Sequence, residues 1–159
     1  MAVYELYGFL FYFYFMSKSN SYLKKIKDLA AKNLLEGEQF LKQNSEKETV
    51  IVLPSGLQYE ILEEGTGKIP NKKDKVLCHY KGKLLNDEVF DSSYKRKRPE
   101  TFFVHELIKG WQEALTLMSV GSKWILYVPP HLAYGFEALT PTSGGNCTLI
   151  FEMELISIL

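Results

Sequence analysis

The apolar pattern of this chain changes period once, near Thr49, from roughly 3.6 residues to two, and that switch bounds the fold. Before it, Tyr22, Ile26, Leu29, Ala30, Leu34 and Leu41 recur at helical spacing, with Lys24, Lys25, Lys27, Asp28 and Lys32 on other faces. Asn20 or Ser21 can cap the first amides. The pattern fades by Asn44-Ser45. A lone helix of this length is marginal in water. Its apolar stripe is therefore expected on the following domain or on a second copy, as a docked appendage. After the switch, Leu57, Tyr59 and Ile61 alternate with polar neighbours, and Val76, Cys78, Tyr80 and then Leu149, Phe151, Met153, Leu155 mark one face of two longer strands. Trp124 to Val128 is a further strand, stopped by Pro129-Pro130. Turns fall at Pro54-Ser55-Gly56, Gly65-Thr66-Gly67, Asn86-Asp87 and Gly144-Gly145-Asn146. One short helix is expected over Ile108 to Leu115, with Ile108, Trp111 and Leu115 on a common side. The fold class is α+β, an antiparallel sheet packed on a short helix and preceded by an amphipathic one.

Charge and cysteine content remove several functions. Nineteen Lys+Arg balance nineteen Asp+Glu, so the basic excess of a general nucleic-acid binder is missing. Cys78 and Cys147 are too few for a disulfide scaffold, and with three histidines they match no four-ligand zinc site. Both cysteines are expected as free core residues. The chain also lacks a G-x-S-x-G elbow, an H-E-x-x-H helix and a phosphate-cradling glycine loop. Each histidine is expected to be structural or solvent-facing. Lys95 to Arg98 is expected as a solvated flap.

Eight of the 22 aromatic residues lie in the first sixteen positions. The uncharged run from Leu6 to Met16 is too short to span a bilayer as a helix. Three interpretations stay open: a poor secretion or membrane-surface signal, an element packed on the domain, or a natural start at Met16. The organisation read from the chain is thus an aromatic segment 1–16, a helix and linker 17–48, and a globular domain 49–159. A start at Met16 favours the cytoplasm slightly; otherwise the cell envelope is the alternative.

Ordered motifs then narrow the family. Ser55-Gly56-Leu57-Gln58-Tyr59, Val89-Phe90-Asp91-Ser92-Ser93-Tyr94, Ile108-Lys109-Gly110-Trp111, Leu117 to Lys123, Leu132-Ala133-Tyr134-Gly135 and Thr148 to Glu152 follow one another at compatible spacing. Together they resemble an FK506-binding-type (FKBP) peptidyl-prolyl cis-trans isomerase, in the bacterial macrophage infectivity potentiator-like branch. The resemblance covers roughly Leu29 to Leu159. It implies a five- or six-stranded antiparallel sheet curled around the short helix, and an apolar pocket floored by Trp111. Tyr80, Phe90, Tyr134 and Phe151 would wall that pocket, with Leu107 and Ile108 at the start of the helix. Asp91 and Arg96 match the polar pair beside it. The Ile108 amide and the Tyr134 hydroxyl are implied as donors to substrate carbonyls. Independently of the family, two inward-facing tyrosines are unusual for mere core, because each buried hydroxyl demands a partner.

The implied chemistry uses neither nucleophile nor cofactor, and no metal. An amide crosses a barrier of about 18–20 kcal/mol because rotation breaks resonance. At X-Pro bonds uncatalysed exchange takes tens to hundreds of seconds. A dry pocket favours the twisted amide, which has lost charge separation, and donors placed for that geometry add differential binding. The implied partners are proline-containing unfolded or partly folded proteins and, weakly, the family's macrocyclic inhibitors. The related bacterial enzymes dimerise through a longer helical module, so a monomer or weak homodimer is expected here. One departure bears on turnover. Where the family has an overhanging Ile-Pro-Pro-Asn-like turn, this chain has Thr142-Ser143-Gly144-Gly145-Asn146, a more polar rim that is expected to lower activity. Glu100 also stands where some members place a pocket aromatic. The alternative to an enzyme is a non-catalytic peptide-binding chaperone module.

Overall fold

A computed structural model describes residues 2–159, with side chains from position 20 onward. The aromatic side chains of positions 4–15 therefore lie outside the described residues. Helix α1 runs unbroken over Ala2–Asn44. The expected cap at Asn20 or Ser21 is thus corrected: both sit inside the helix. No proline precedes Pro54, and a helix once nucleated gains one hydrogen bond for each residue it adds. Mildly unfavourable residues such as Asn and Ser do not stop it. The end is where the fading pattern places it, at Asn44, and Ser45 closes it with its N–H on the Leu41 carbonyl (3.0 Å) and its hydroxyl on the Lys42 carbonyl (2.6 Å).

Only part of the expected apolar stripe docks: Ala30 is buried, and Leu29 and Leu41 are half-buried. Tyr22, Ile26 and Leu34 stay exposed, as does the whole stretch from Asn20 to Asp28. Ala30 shares its contact face with Asn33, Gly37, Phe40 and Asn44, an alternating three- and four-residue step that is helical in period but, Phe40 apart, small or polar in chemistry. Asn44, 1% exposed, donates to Gln58 Oε1 (2.9 Å), and Gln58 Nε2 returns a hydrogen bond to the Leu41 carbonyl (2.8 Å). Phe40 meets the Tyr127 ring at 5.7 Å between centroids. Burying amides in mutual pairs avoids the cost of leaving either unsatisfied.

Seven antiparallel strands follow: β1 Ile51–Val52, β2 Gln58–Glu63, β3 Lys75–Lys83, β4 Val89–Ser92, β5 Glu100–Phe103, β6 Lys123–Val128 and β7 Leu149–Ile158. The count exceeds the expected five or six because β1 is a two-residue edge strand and the chain between β3 and α2 pairs twice. Sheet order is β1-β2-β6-β7-β3-β4, with β5 also on β3. The two halves of β3 are shared: Lys75 to Cys78 pair with β5, and Lys81 to Lys83 pair with β4. Alternation in β3 and β7 turns Val76, Cys78, Tyr80, Leu149, Phe151, Met153 and Leu155 inward. Helix α2, Lys109–Leu115, lays Trp111, Ala114 and Leu115 on that face. Gly110 lets it approach, since a Cβ there would lie 2.6 Å from Val128 Cγ1. Cys78 and Cys147 are both free thiols, and burial pushes Cys78 up to about 12. Among the described residues no helix is long and apolar enough to cross a membrane.

Candidate functional site

Five elements converge at one end of the sheet to leave a slot of about 140 Å³. Its floor is Trp111, brought there by the first turn of α2 and 4% exposed. The indole meets Tyr80 of β3 edge-on at 5.0 Å and 79°, Phe151 of β7 at 5.1 Å and 83°, and Phe102 of β5 at 5.8 Å and 89°. Phe90 of β4 stands edge-on to Phe151 at 5.7 Å and 88°. Edge-to-face pairing of this kind fixes each ring against its neighbours. Leu107, Ile108, Asp91 and Tyr134 complete the lining. Trp111 Nε1 is buried without a hydrogen-bond partner among the described residues.

Two of these walls require a glycine between them. A Cβ on Gly82 of β3 would lie 2.6 Å from Phe90 Cζ and 2.7 Å from Phe151 Cε1, inside any real contact. The bare backbone at Gly82 is therefore what lets the two rings close over the strand.

Polar groups gather along one side. Tyr80, 6% exposed, donates its hydroxyl proton to Asp91 Oδ2 (2.7 Å) and accepts from Arg96 Nη2 (2.8 Å). Arg96 Nη1 also donates to Asp91 Oδ1 (2.5 Å), and its Nε to Glu100 Oε1 (3.0 Å). The buried hydroxyl thus has the partner that its position demands. Burial alone would raise the Asp91 carboxyl, but hydrogen bonds from Arg96 and Tyr80 outweigh it and hold the group below its usual range. Tyr80 is pushed up to about 12, first by burial and then by its hydrogen bond to Asp91. Burial, followed by the Asp91 charge, also raises Tyr134.

Every residue singled out from the sequence except Arg96 lines the slot, and Arg96 stands behind Asp91 and Tyr80. The remainder of the Lys95 to Arg98 flap is exposed, as expected. Glu100 is not a slot residue: it holds Arg96 and lies 3.6 Å from Arg98. Phe102 is the lining residue that sequence reasoning missed. Its signal was present in the alternation of Glu100–Phe103, where Phe102 faces Val76 in register and turns inward while Phe103 is 40% exposed.

The titration of these groups gives an expected pH response. A carboxylate held below its ordinary value stabilises the fold above about pH 4, and that contribution is lost as the pH falls through the lowered value. Asp91, and Glu152 lowered by hydrogen bonding from Lys123, both belong to this class. Urea midpoints should therefore fall when the pH is taken below about 4, and the Asp91→Asn variant should show a smaller fall. A fall of the same size in Asp91→Asn would remove Asp91 from this response.

Comparison with known proteins places the geometry. The family model described as FKBP-type peptidyl-prolyl cis-trans isomerase matches residues 66–156, and a second, described as the domain amino terminal to it, matches residues 13–61. The peptidyl-prolyl cis-trans isomerase Mip of Coxiella burnetii is 48% identical over 126 residues, which are 79% of this chain and 55% of that protein. The outer membrane protein MIP of Legionella longbeachae is 47% identical over 129 residues, 81% of this chain and 55% of that protein. The crystal structure of FkpA from Escherichia coli superposes with a TM-score of 0.89 at 34% identity, covering 99% of this chain and 73% of that one. The chain thus spans little more than half the length of the curated relatives it matches.

Proposed function

The chain belongs to the FKBP-type peptidyl-prolyl cis-trans isomerase family, and on that premise we propose that its aromatic slot accelerates rotation about X-Pro bonds in unfolded or partly folded proteins. The observation that carries this proposal is the indole floor with three rings set edge-on to it. Trp111, Phe90 and Phe151 grip the proline ring. The walls exclude water, and the twisted amide, with less charge separation than the planar one, is the form that a low-dielectric slot favours. Ile108 immediately precedes α2 with an extended backbone, where a helix leaves N–H groups unpaired. Its amide and the Tyr134 hydroxyl serve the substrate carbonyls. Asp91, fixed by Arg96 and Tyr80, supplies local polarity and moves no proton. The slot needs no cofactor.

Turnover should sit below that of typical members. Ser143 and Thr140 spend their hydroxyls inside the loop, with Ser143 Oγ accepting from the Leu139 and Thr140 amides at 3.0 Å. Phe136 is 85% exposed and offers the slot no cover. The same rim supports weak binding of macrocyclic inhibitors. For location, the name of the Legionella relative, an outer membrane protein, supports the cell envelope over the cytoplasm. A monomer or weak homodimer is proposed, and mass measurement in solution decides between them.

A second proposal, a peptide-binding chaperone without turnover, draws on exposed Tyr22, Leu23 and Ile26 along α1. Assays of the full chain on a proline peptide and on proline-limited refolding separate the two. The isomerase predicts a rate above the spontaneous one, and a fall of several-fold in Tyr134→Phe, the size of one lost hydrogen bond of about 1 kcal/mol. A wild-type rate equal to the spontaneous one leaves only the chaperone.

A further inference from the structure

The loop that borders the slot is held from outside the isomerase domain. It leaves Tyr134, runs out over Phe136 to a turn at Thr140–Ser143, and returns through Gly144, Gly145 and Asn146. Four consecutive residues of the returning limb, Ser143 to Asn146, are buried although they belong to a loop of glycine and polar residues. What covers them is α1. Asn33 Nδ2 donates to the Ser143 carbonyl at 2.7 Å and to the Gly145 carbonyl at 2.8 Å. Gly144, in left-handed conformation at φ +68°, lies so close to Leu29 that a Cβ would sit 2.7 Å from Leu29 Cγ.

From the returning limb the path to the slot is short. The Asn146 N–H donates to the Gly135 carbonyl at 2.6 Å. Gly145 also packs on the Phe136 carbonyl with no room for a Cβ. The two limbs are therefore pinned together one residue away from Tyr134, and Gly135 is anchored in turn by its N–H on the Pro130 carbonyl at 2.9 Å. A loop without the overhanging prolines of its family would carry a large ordering cost on binding. Here a side chain from a different element meets that cost in advance.

We propose that Asn33 of α1 is a positioning residue for the isomerase slot: by clamping the Ser143 and Gly145 carbonyls it orders the returning limb and, through the Asn146–Gly135 hydrogen bond, sets Tyr134 for the substrate. This rests on the isomerase proposal for the slot itself. Asn33 touches no substrate. Besides the Cys147 thiol, a weak donor 3.6 Å from the Ser143 carbonyl and 4.0 Å from that of Gly145, the two carbonyls share a single amide group, so an alanine leaves them with the thiol alone, and an aspartate turns an oxygen toward them.

The test uses the full chain as wild type, Asn33→Ala, Asn33→Asp and, as a control on α1, Leu35→Ala, whose side chain is 57% exposed. Two quantities are read: kcat and KM on a proline peptide, and hydrogen exchange of the Asn146 amide against that of Met153 in β7. Expected is a KM rise of about three- to ten-fold in both Asn33 variants, the range of one lost hydrogen bond, with kcat changed less. Asn146 exchange should quicken while Met153 stays protected, which also certifies that the variants are folded. Leu35→Ala should match wild type in everything. An active wild type with unchanged KM in the Asn33 variants, or unchanged Asn146 exchange, or an equal effect from Leu35→Ala, overturns the inference alone. An inactive wild type takes down the isomerase proposal and the role of Asn33 in it.

Discussion

Trp111→Ala should lose isomerase acceleration entirely and destabilise the domain by about 3–5 kcal/mol, the range for removing a buried Trp side chain. The indole is 4% exposed and is the common neighbour of Tyr80, Phe102 and Phe151. Removing it takes away the slot floor and one partner from each of three ring pairs at once. Since a domain of this size has only about 5–15 kcal/mol to lose, Trp111→Leu is the informative companion: it keeps apolar volume and should fold, yet still lack a flat floor. Urea unfolding gives the stability, and the peptide assay gives the rate. Wild-type turnover in a folded Trp111→Leu variant would show that proline is gripped elsewhere, and the proposed mechanism would go with it.

Gly82→Ala should be nearly as damaging to activity, although it adds one methyl group at a residue that lines nothing. The new carbon has to displace Phe90 or Phe151, the ends of which occupy its place. Overpacking of this kind costs about 1–3 kcal/mol. Both displaced rings are slot walls, so we expect turnover to fall at least about ten-fold, equivalent to about 1.4 kcal/mol of lost transition-state binding. The fall should exceed that of Gly135→Ala, whose added Cβ meets open space and whose φ of +57° supplies only backbone strain. Equal activities for Gly82→Ala and wild type would mean that the rings are free to move aside without consequence.

Much of this slot is legible in the amino-acid sequence. Tyr80 and Phe151 announce their direction through strand alternation, Trp111 through its place in a short amphipathic run, and Phe90-Asp91 through an ordered motif. Local period fixes which way a side chain points, and here the pointing directions and the motif order agreed. Phe102 escaped because its strand is four residues long and pairs with half of β3, so that its alternation, though present, spans only two inward positions. The docking of α1 was legible only in part, for a different reason. Hydrophobic period identifies the most apolar face, but the face in contact carries Asn33, Gly37 and Asn44, whose value lies wholly in distant partners: loop carbonyls, Thr148 and Gln58. The expected start at Asn20 failed because a good cap residue is a permission to begin, and it has no force inside a helix that is already running.

The uncovered reach of α1 carries a mechanical consequence. From Asn20 to Asp28 the helix stands clear of the domain, a rise of about 12 Å. Since Asn33, Phe40 and Asn44 bolt its lower end to the sheet, that segment cannot swivel like a tether of loose chain. It acts as a stalk, and anything fixed to its upper turns is carried at a set distance and bearing from the mouth of the slot.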